Sequence, residues 1–306
     1  MTTSPSAAER KILVALDGSP AAATALPFAR VLAARLGARV EGLYCAAGQH
    51  PEVEQQQVRQ QLTANETLQV RPASATVAGA FLEAAADTEA IVLTLTTHGR
   101  LVAPVQRLGH TVEAIIASTT RPILLVRPEA AVTPAGARTL VLQHLLLPLD
   151  GTPSTAVSLQ PVTDLACRLG LAIDLLYVAG LSQRRPAERG SIGPPRYVDQ
   201  AQYEWAQWAQ EVIDRLCICL AECPPTLAVR MFLAEGEIGP EIARFASAHE
   251  TDIIALVRSS QFEPGRAKVL RYVLDHTPCP ILIVSGVTLA PASRRLAATP
   301  AAGAPR

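Results

Sequence analysis

The feature that most constrains the fold of this chain is a sequence unit that occurs twice. The segment "KILVALDGSPAAATALPFARVLAARLGARVEGLYC" begins at Lys11, and "LLLPLDGTPSTAVSLQPVTDLACRLGLAIDLLYV" begins at Leu145. Each copy has an apolar run, an Asp-Gly pair, a hydroxyl residue, a proline, an alanine-rich stretch with helical spacing, and a second apolar run. Short apolar strands that alternate with helices predict a parallel sheet covered by helices on both faces.

The turn after the first apolar run has the same chemistry in both copies. In the first copy Asp17-Gly18 permits a tight exit from the strand, Ser19 suits a helix N-cap, and Pro20 suits the first helical position. The second copy repeats this series as Asp150, Gly151, Thr152 and Pro153. The predicted helices end at a glycine in each copy, Gly37 and Gly170.

The chain is long enough for two domains, at 306 residues. Fourth and fifth strands are predicted in both copies, from "EAIVLTLTTHG" and "RPILLVRP" in the first and from "TDIIALVRSS" and "CPILIVSG" in the second. We therefore predict a first domain at 9–128, a linker at 129–143, a second domain at 144–285, and a disordered tail at 286–306. The second copy is longer, and residues 181–223 predict an inserted polar loop followed by an amphipathic helix.

Composition excludes several classes of partner. The 27 basic and 27 acidic residues balance, so no overall field attracts nucleic acid or an anionic membrane. The sequence contains neither an apolar run of about 18 residues nor a signal-peptide pattern, and we expect a cytoplasmic protein. The six cysteines have no regular framework, so we expect free thiols and no metal site; apolar packing is favoured over metal binding for the cluster Cys217, Cys219 and Cys223.

These motifs, in this order and in both copies, resemble the universal stress protein family in its form with two domains in tandem. The resemblance extends from Lys11 to Ser285. It implies two tandem open parallel five-stranded sheets with helices on both faces, a Rossmann-like, adenine nucleotide alpha-hydrolase-like fold. In the family's nucleotide-binding members, ATP lies beyond the carboxyl ends of the strands, where the strand order reverses. The Asp-Gly turn flanks the adenosine there, and a loop of pattern Gly-x2-Gly-x9-Gly-Ser/Thr wraps the phosphates.

The stretch "THGRLVAPVQRLGHT" after the fourth strand matches this loop in part. Thr96 occupies the position of the pattern's first glycine, and His110 occupies the position of its final serine or threonine. The other two glycines of the pattern, Gly99 and Gly109, and the spacing between them are kept. The implied nucleotide site consists of Asp17, Gly18, Ser19, Thr96, Gly99, Gly109, His110 and Thr111. The branched Thr96 suits the site only if its φ is negative.

Two of these residues keep open roles. His110 either donates a hydrogen bond to a phosphate at a helix start or faces solvent in a loop that no longer holds phosphate. Asp17 either contacts the ligand or only forms an Asx-type turn.

The second copy has changed at every position of the pattern. Val257, Ser260, Ala267 and Lys268 stand where the two early glycines and the final Gly-Ser pair belong. We therefore expect that the second domain does not bind ATP in the family manner.

The resemblance implies a non-catalytic binding and regulatory protein of the stress response. Its first domain would hold ATP, with magnesium if the nucleotide binds, weakly or not at all. Two alternatives stay open: a scaffold in which both sites are lost, and an ATP hydrolase or adenylate-transferring enzyme. The domains are expected to pair about a pseudo-twofold axis through the closing strands "ILLV" and "ILIV", and two such chains could pair further as a homodimer.

Overall fold

The computed structural model of the protein describes residues 10–46, 50–72, 76–87, 89–97, 108–128, 140–149, 153–179, 228–258 and 264–285. Within these ranges the chain forms ten strands and eight helices. The inserted segment at 181–223, the tail at 286–306 and most of the predicted linker lie outside the described residues. The proposed domain bounds therefore stay predictions.

The first half of the chain alternates strands and helices. Its elements are β1 (Lys11–Leu16), α1 (Pro20–Ala23), α2 (Leu26–Leu36), β2 (Arg39–Ala46), α3 (Pro51–Gln61), β3 (Thr67–Pro72), α4 (Val77–Ala85), β4 (Ala90–Thr96), α5 (His110–Ser118) and β5 (Ile123–Val126).

The second half repeats this alternation. Its described elements are β6 (His144–Leu149), α6 (Pro153–Leu169), β7 (Ala172–Ala179), β8 (Val229–Glu235), α7 (Ile238–Ala248), β9 (Ile253–Arg258), α8 (Pro264–His276) and β10 (Ile281–Ser285).

All ten strands belong to one sheet, in the order β3-β2-β1-β4-β5-β10-β9-β6-β7-β8. Neighbouring strands within each half are parallel, and the two halves meet where β5 and β10 pair in antiparallel register, with Leu124 opposite Leu282. The α/β class and the pairing of "ILLV" with "ILIV" are thus confirmed. The two predicted sheets are joined edge to edge, so that the closing strands become interior strands of one sheet.

The predicted helix signals are confirmed where the structure describes them. Ser19 caps α1 by accepting a hydrogen bond from the backbone N–H of Ala22 at 3.1 Å, and Pro20 occupies the first turn. Gly37 and Gly170 follow their helices with φ of 60° and 65°, a left-handed conformation that glycine adopts without strain.

The first helix of each half differs between the copies. Sequence similarity predicts one helix in both, but the first half has a break between α1 and α2, with Pro27 in the first turn of α2. Proline lacks the N–H that would continue the hydrogen-bond ladder, which favours a new helix start there. In the second half α6 runs through Pro161 without such a division.

The inner strands of the sheet are buried on both faces, as their unbroken apolar sequences predict, whereas the edge strands β3 and β8 are mostly half-buried or exposed. On β1, Ile12 and Val14 pack under α2, whereas Leu13 belongs to the layer under α4 and α5. The first layer continues through Leu124 and Leu282 into the second half. The core is therefore continuous across the seam, which is the antiparallel pair of β5 and β10.

Arginines also join the two halves. The Arg127 guanidinium donates to the carbonyl oxygens of Leu274, Asp275 and Thr277 at 2.9, 3.4 and 3.0 Å, which caps the carboxyl end of α8. On the opposite face, Arg35 of α2 donates to the carbonyl of Leu169 at the end of α6, at 2.8 Å.

One expectation about the cysteines is wrong. Cys167 is disulfide-bonded, although the sequence spacing predicts free thiols throughout. A disulfide joins positions that the tertiary fold brings together, and spacing along the chain does not reveal such proximity. Cys45 and Cys279 are free, and burial raises the pKa of both thiols, that of Cys279 to about 11.

Within the described parts of the chain, no helix combines the length and apolarity that crossing a membrane requires.

Candidate functional site

The described residues of the predicted site lie at the carboxyl ends of the first half's strands. Strand β1 pairs with β2 on one side and with β4 on the other, so the strand order reverses at β1. Asp17 follows β1 and Thr97 follows β4, and because these two strands are parallel neighbours, both residues lie at the same edge. A crevice at such a reversal is the usual ligand site of open α/β sheets.

Asp17 forms the turn that the Asp-Gly pair predicts. Its Oδ1 accepts hydrogen bonds from the backbone N–H of Ser19 at 2.8 Å and from the Ser19 hydroxyl at 2.5 Å. Ser19 in turn caps α1. This Asx-type turn fixes the exit from β1, so the turn-forming role of Asp17 is confirmed, and its role as a ligand contact stays a prediction.

Helix α3 packs directly on this turn. Gly18 has a φ of 85°, and a Cβ on it would lie 3.0 Å from Gln57 Oε1 and 3.1 Å from the carbonyl oxygen of Glu54. The Gln61 amide nitrogen donates to the carbonyls of Gly18 and Ser19 at 3.0 and 3.3 Å. Glycine is required at position 18 both by its conformation and by the closeness of α3.

A buried hydrogen bond holds α3 in this position. The Tyr44 hydroxyl, near the end of β2, donates to Glu54 Oε2 at 2.8 Å, and both side chains are almost completely buried. The contacts of α3 with the turn were missed from the sequence. Their signal is the helical spacing of Glu54, Gln57 and Gln61, which places the three on one face although none is apolar.

Thr96 is a strand residue and not a loop residue. It is the last residue of β4, it is 7% exposed, and it pairs in register with Val126 of β5. Among the described residues outside glycine, only Glu250 has a positive φ, so the branched Thr96 is unstrained. Thr96 therefore has the negative φ that a branched residue needs at this position of the site.

Gly109 begins α5 at the same edge. Its N–H donates to the carbonyl of Thr97 at 3.3 Å, which ties the helix start to the end of β4. Gly109 is the N-cap, with φ −64° and ψ 143°, and as a glycine it has no side chain that could cap this helix. His110 and Thr111 follow as exposed residues of the first turn, where backbone N–H groups have no acceptor within the helix.

The remaining predicted positions lie outside the described residues. These are Gly99 in the first half and Asp150, Gly151, Thr152 and Ser260 in the second. The described part of the second half nevertheless differs at one informative point. Helix α8 begins at Pro264, so Lys268, which aligns with His110, is one turn inside its helix and exposed.

The described residues of this site offer hydrogen-bond donors and no metal centre. No three histidine, cysteine or acidic side chains in the described ranges are grouped closely enough to hold a metal ion. The start of α5 provides backbone donors and the positive end of a helix dipole, which together favour an anion. The Asp17 turn and the start of α5 are brought to one edge by β1 and β4.

Two open five-stranded α/β units, each with its strand order reversed at the first strand, define a Rossmann-like protein. Residues 142–285, in the second half of the chain, match the model of the universal stress protein family. No curated protein matches the chain in sequence.

Solved structures show the same fold over nearly the whole chain. A universal stress protein from Archaeoglobus fulgidus is 12% identical and has a TM-score of 0.58, with 91% of this chain and 97% of that chain covered. A Pseudomonas aeruginosa protein of unknown function is 12% identical with a TM-score of 0.55, and 90% of this chain and 92% of that chain are covered. The likeness includes the first half, which the family model does not match.

Proposed function

We propose that the protein is a non-catalytic, regulatory universal stress protein that binds adenine nucleotide through its first half only. The phosphates of ATP, with bound magnesium, would lie at the start of α5, and the adenosine would lie near the Asp17 turn. Binding would favour one arrangement of the connection between β4 and α5. The observation that carries the proposal is the uncapped helix start at Gly109, placed where the strand order reverses.

Gly109 supports this proposal because the fold does not require a glycine there. Its φ and ψ are accessible to every residue, and a Cβ on it would meet only the carbonyl oxygen of Thr97, at an ordinary 3.6 Å. A missing Cβ at a helix start lets an anion approach the backbone N–H groups.

The second half supports the restriction to one site. Helix α8 extends one turn beyond the position at which α5 begins, so the backbone N–H of Lys268 lies inside a regular helix. Such an N–H donates to the carbonyl four residues earlier and is not available to a phosphate. The backbone N–H at the equivalent position of the second half is therefore not a free donor.

One observation favours the scaffold alternative. Helix α3 covers the outer side of the Asp17 turn so closely that Gln57 would contact any side chain at position 18. If α3 also occupies the space of the adenosine, the first half holds no nucleotide and acts through protein contacts.

Calorimetric titration of the purified full-length protein with ATP and magnesium tests the proposal, together with extraction of nucleotide from untreated protein. The sharpest variant is Gly109→Ser. Serine is a good N-cap, so the melting temperature should stay equal or rise, whereas the added side chain should lower ATP affinity about tenfold or more through lost backbone hydrogen bonds.

The matched control is Lys268→Ser, which changes the aligned position of His110 in the second half and should leave ATP affinity unchanged. Absence of binding heat together with an empty extract would reject the nucleotide proposal in favour of the scaffold. The variant Thr96→Gly/His110→Ser restores the residues of the family pattern. Tighter ATP binding by this variant would indicate that the site has lost affinity through the two changes, and weaker ATP binding would indicate that Thr96 and His110 themselves contribute to binding.

A further inference from the structure

Helix α3 ends beside the turn that follows β1, and its last residue, Gln61, contacts that turn directly. The Gln61 amide nitrogen donates to the backbone carbonyls of Gly18 at 3.0 Å and of Ser19 at 3.3 Å. Gln61 is 42 residues from Ser19 along the chain, so this contact is a product of the tertiary fold. One side chain of α3 therefore holds two consecutive carbonyls of the Asp17 turn.

The Gln61 amide is held in one orientation. With its nitrogen toward the two carbonyls, its Oε1 is buried and has no hydrogen-bond partner among the described residues. The reverse orientation would place that oxygen against two carbonyl oxygens, none of which can donate. A buried amide oxygen without a partner is less favourable than an apolar group of similar size. The donated bonds of Gln61 therefore come with a cost in stability, which points to a role of these bonds at the turn.

The backbone of Gln61 is fixed by a charged group of α2. The Arg30 guanidinium donates to the Gln61 carbonyl at 3.1 Å, and it also donates to both carboxylate oxygens of Glu66. Glu66 Oε2 in turn accepts the backbone N–H of Thr63 at 2.8 Å. A cation at the carboxyl end of a helix is favoured by the helix dipole. The carboxyl end of α3, from which the Gln61 side chain extends, is thus anchored to α2.

The amino end of α3 is anchored to β2. The Tyr44 hydroxyl donates to Glu54 Oε2 at 2.8 Å and lies 3.3 Å from the carbonyl oxygen of Pro51. Tyr44 and Glu54 are 1% and 7% exposed, and a buried hydrogen bond to a carboxylate is costly to break. Because both ends of α3 are held in this way, the distance between α3 and the Asp17 turn is fixed.

The two carbonyls that Gln61 holds belong to the segment that positions Asp17. Asp17 Oδ1 accepts hydrogen bonds from the backbone N–H and the hydroxyl of Ser19, so the carboxylate and Ser19 are linked. Between them stands Gly18, and a glycine can adopt several backbone conformations at similar cost. The bonds from Gln61 favour the one conformation in which Gly18 has a φ of 85°. Gln61 thereby fixes the peptide groups that follow Asp17, and with them the position of its carboxylate.

We propose, building on the nucleotide function proposed for the first half, that Gln61 is a positioning residue that gives this site its preference for the nucleoside part of the ligand. By holding the two carbonyls of the turn, it keeps Asp17 where the turn meets the adenosine. The start of α5 is tied to the sheet by the bond from Gly109 to Thr97 and does not depend on Gln61. Loss of the Gln61 contacts therefore weakens binding of adenine nucleotides and leaves binding of a bare polyphosphate unchanged.

The variant Gln61→Met keeps the length of the side chain and removes both the donor and the oxygen without a partner. Its melting temperature should stay close to that of the unmodified protein, because these two losses have opposite effects on stability. Calorimetric titration of full-length protein in the presence of magnesium should show an ATP affinity lowered about tenfold and an unchanged affinity for inorganic triphosphate. Gln60→Met, at the neighbouring exposed position of α3, is the matched control and should leave both affinities unchanged.

Hydrogen exchange at the backbone amides of Ser19 and Ala22 tests the turn without any ligand, since both amides are bonded within it. Both should exchange about tenfold faster in Gln61→Met and at the unmodified rate in Gln60→Met. If the unmodified protein binds no ATP, the nucleotide function and the ligand preference fail together, whereas the exchange rates still decide whether Gln61 holds the turn. The proposal is overturned if Gln61→Met leaves the exchange rates or the ATP affinity unchanged, or lowers the affinities for ATP and triphosphate equally.

Discussion

The helix that follows the fourth strand begins differently in the two halves of the molecule. In the first half α5 starts at His110, behind a glycine in extended conformation. In the second half α8 starts at Pro264, a turn before the aligned Lys268. Because α8 starts one turn earlier than α5, the backbone N–H groups at the aligned position are hydrogen-bonded within α8, whereas those at the start of α5 have no acceptor within their helix. Duplicated units can therefore keep one fold while only one of them keeps the helix start that the proposed anion site uses.

The seam shows a second kind of divergence between equivalent positions. Arg127 and Ser285 face the ends of equivalent helices, yet one caps its helix and the other borders a cavity. Glu113 and Arg271 also align, and they form an ion pair with each other at 3.1 Å. Two identical first halves would place glutamate against glutamate here. The two halves have thus become complementary to each other, which favours pairing within the chain over pairing of like halves.

The largest effect is expected from breaking the seam at its axis. Leu282 is 1% exposed and lies opposite Leu124 in the core that both halves share. Leu282→Ala should lower the free energy of unfolding by about 3 kcal/mol, from lost burial and the cavity left behind. Chemical denaturation measures this, with Val141→Ala as a control because Val141 is 51% exposed. Equal effects of the two variants would contradict a shared core at the seam.

The next effect compares the two equivalent cap positions directly. Arg127→Ala removes hydrogen bonds to three carbonyl oxygens at the end of α8 and should lower stability by about 2 kcal/mol. Ser285→Ala removes a buried hydroxyl without a partner and should be neutral or slightly stabilising. Thermal unfolding of both variants checks this asymmetry. Similar losses at the two positions would show that Ser285 also has a capping role.

A smaller, pH-dependent effect is confined to the first half. Arg30 of α2 donates to both carboxylate oxygens of Glu66, at 2.7 and 2.9 Å, whereas Thr163 occupies the aligned position in α6. Burial alone would raise the pKa of Glu66. The hydrogen bonds from Arg30 and from the Thr63 backbone outweigh it, so the pKa lies below the ordinary 4.5. The stabilisation of the folded state by the Arg30–Glu66 pair is fully present at a pH above the unfolded-state pKa of Glu66. It is lost as the pH falls through the lowered pKa of Glu66 in the folded state.

Glu66→Gln tests that dependence. At pH 7 the variant should be less stable by about 1 kcal/mol, since Arg30 is partly exposed and solvent screens the pair. The difference from the unmodified chain should shrink as the pH is lowered below about 4. Urea denaturation at several pH values gives the comparison, and Glu83→Gln, at an exposed position of α4, serves as the control. A difference that stays constant with pH would assign the effect to packing.

The sequence predicts those parts of the fold that depend on local chemistry. The turn at Asp17, the cap at Ser19 and the helix stop at Gly37 follow from residues within a few positions of each other. Contacts that depend on how elements dock were not predictable in this way. The closeness of α3 to Gly18 and the Arg127 cap on α8 join residues distant in sequence, and the disulfide at Cys167 has the same origin.

The sequence likewise predicted only some of the positions of the candidate site. Spacing identified Gly109 as a helix start, and the structure places it there. The pattern also suggested a loop position for Thr96, which is a buried residue of β4, because a glycine pattern does not show where a strand ends. Helix boundaries are set by tertiary packing as much as by local residues. The earlier start of α8 does have a local signal in "EPGRAK", because Pro264 suits the first helical position, but the alignment with the glycine pattern does not take it into account.

The smallest effect tests whether the two halves recognise each other by charge. Glu113 and Arg271 are both partly exposed, so the ion pair should contribute only about 0.5 kcal/mol. Glu113→Arg places like charges together at the axis and should lower the melting temperature slightly, and Glu113→Arg/Arg271→Glu should restore it. A double-mutant cycle at low and high salt isolates this coupling, which salt should weaken because exposed charges are screened. If the swapped pair is no more stable than the single variant, complementarity across the seam resides in Arg127 and the apolar strands, and the charges at the axis are incidental.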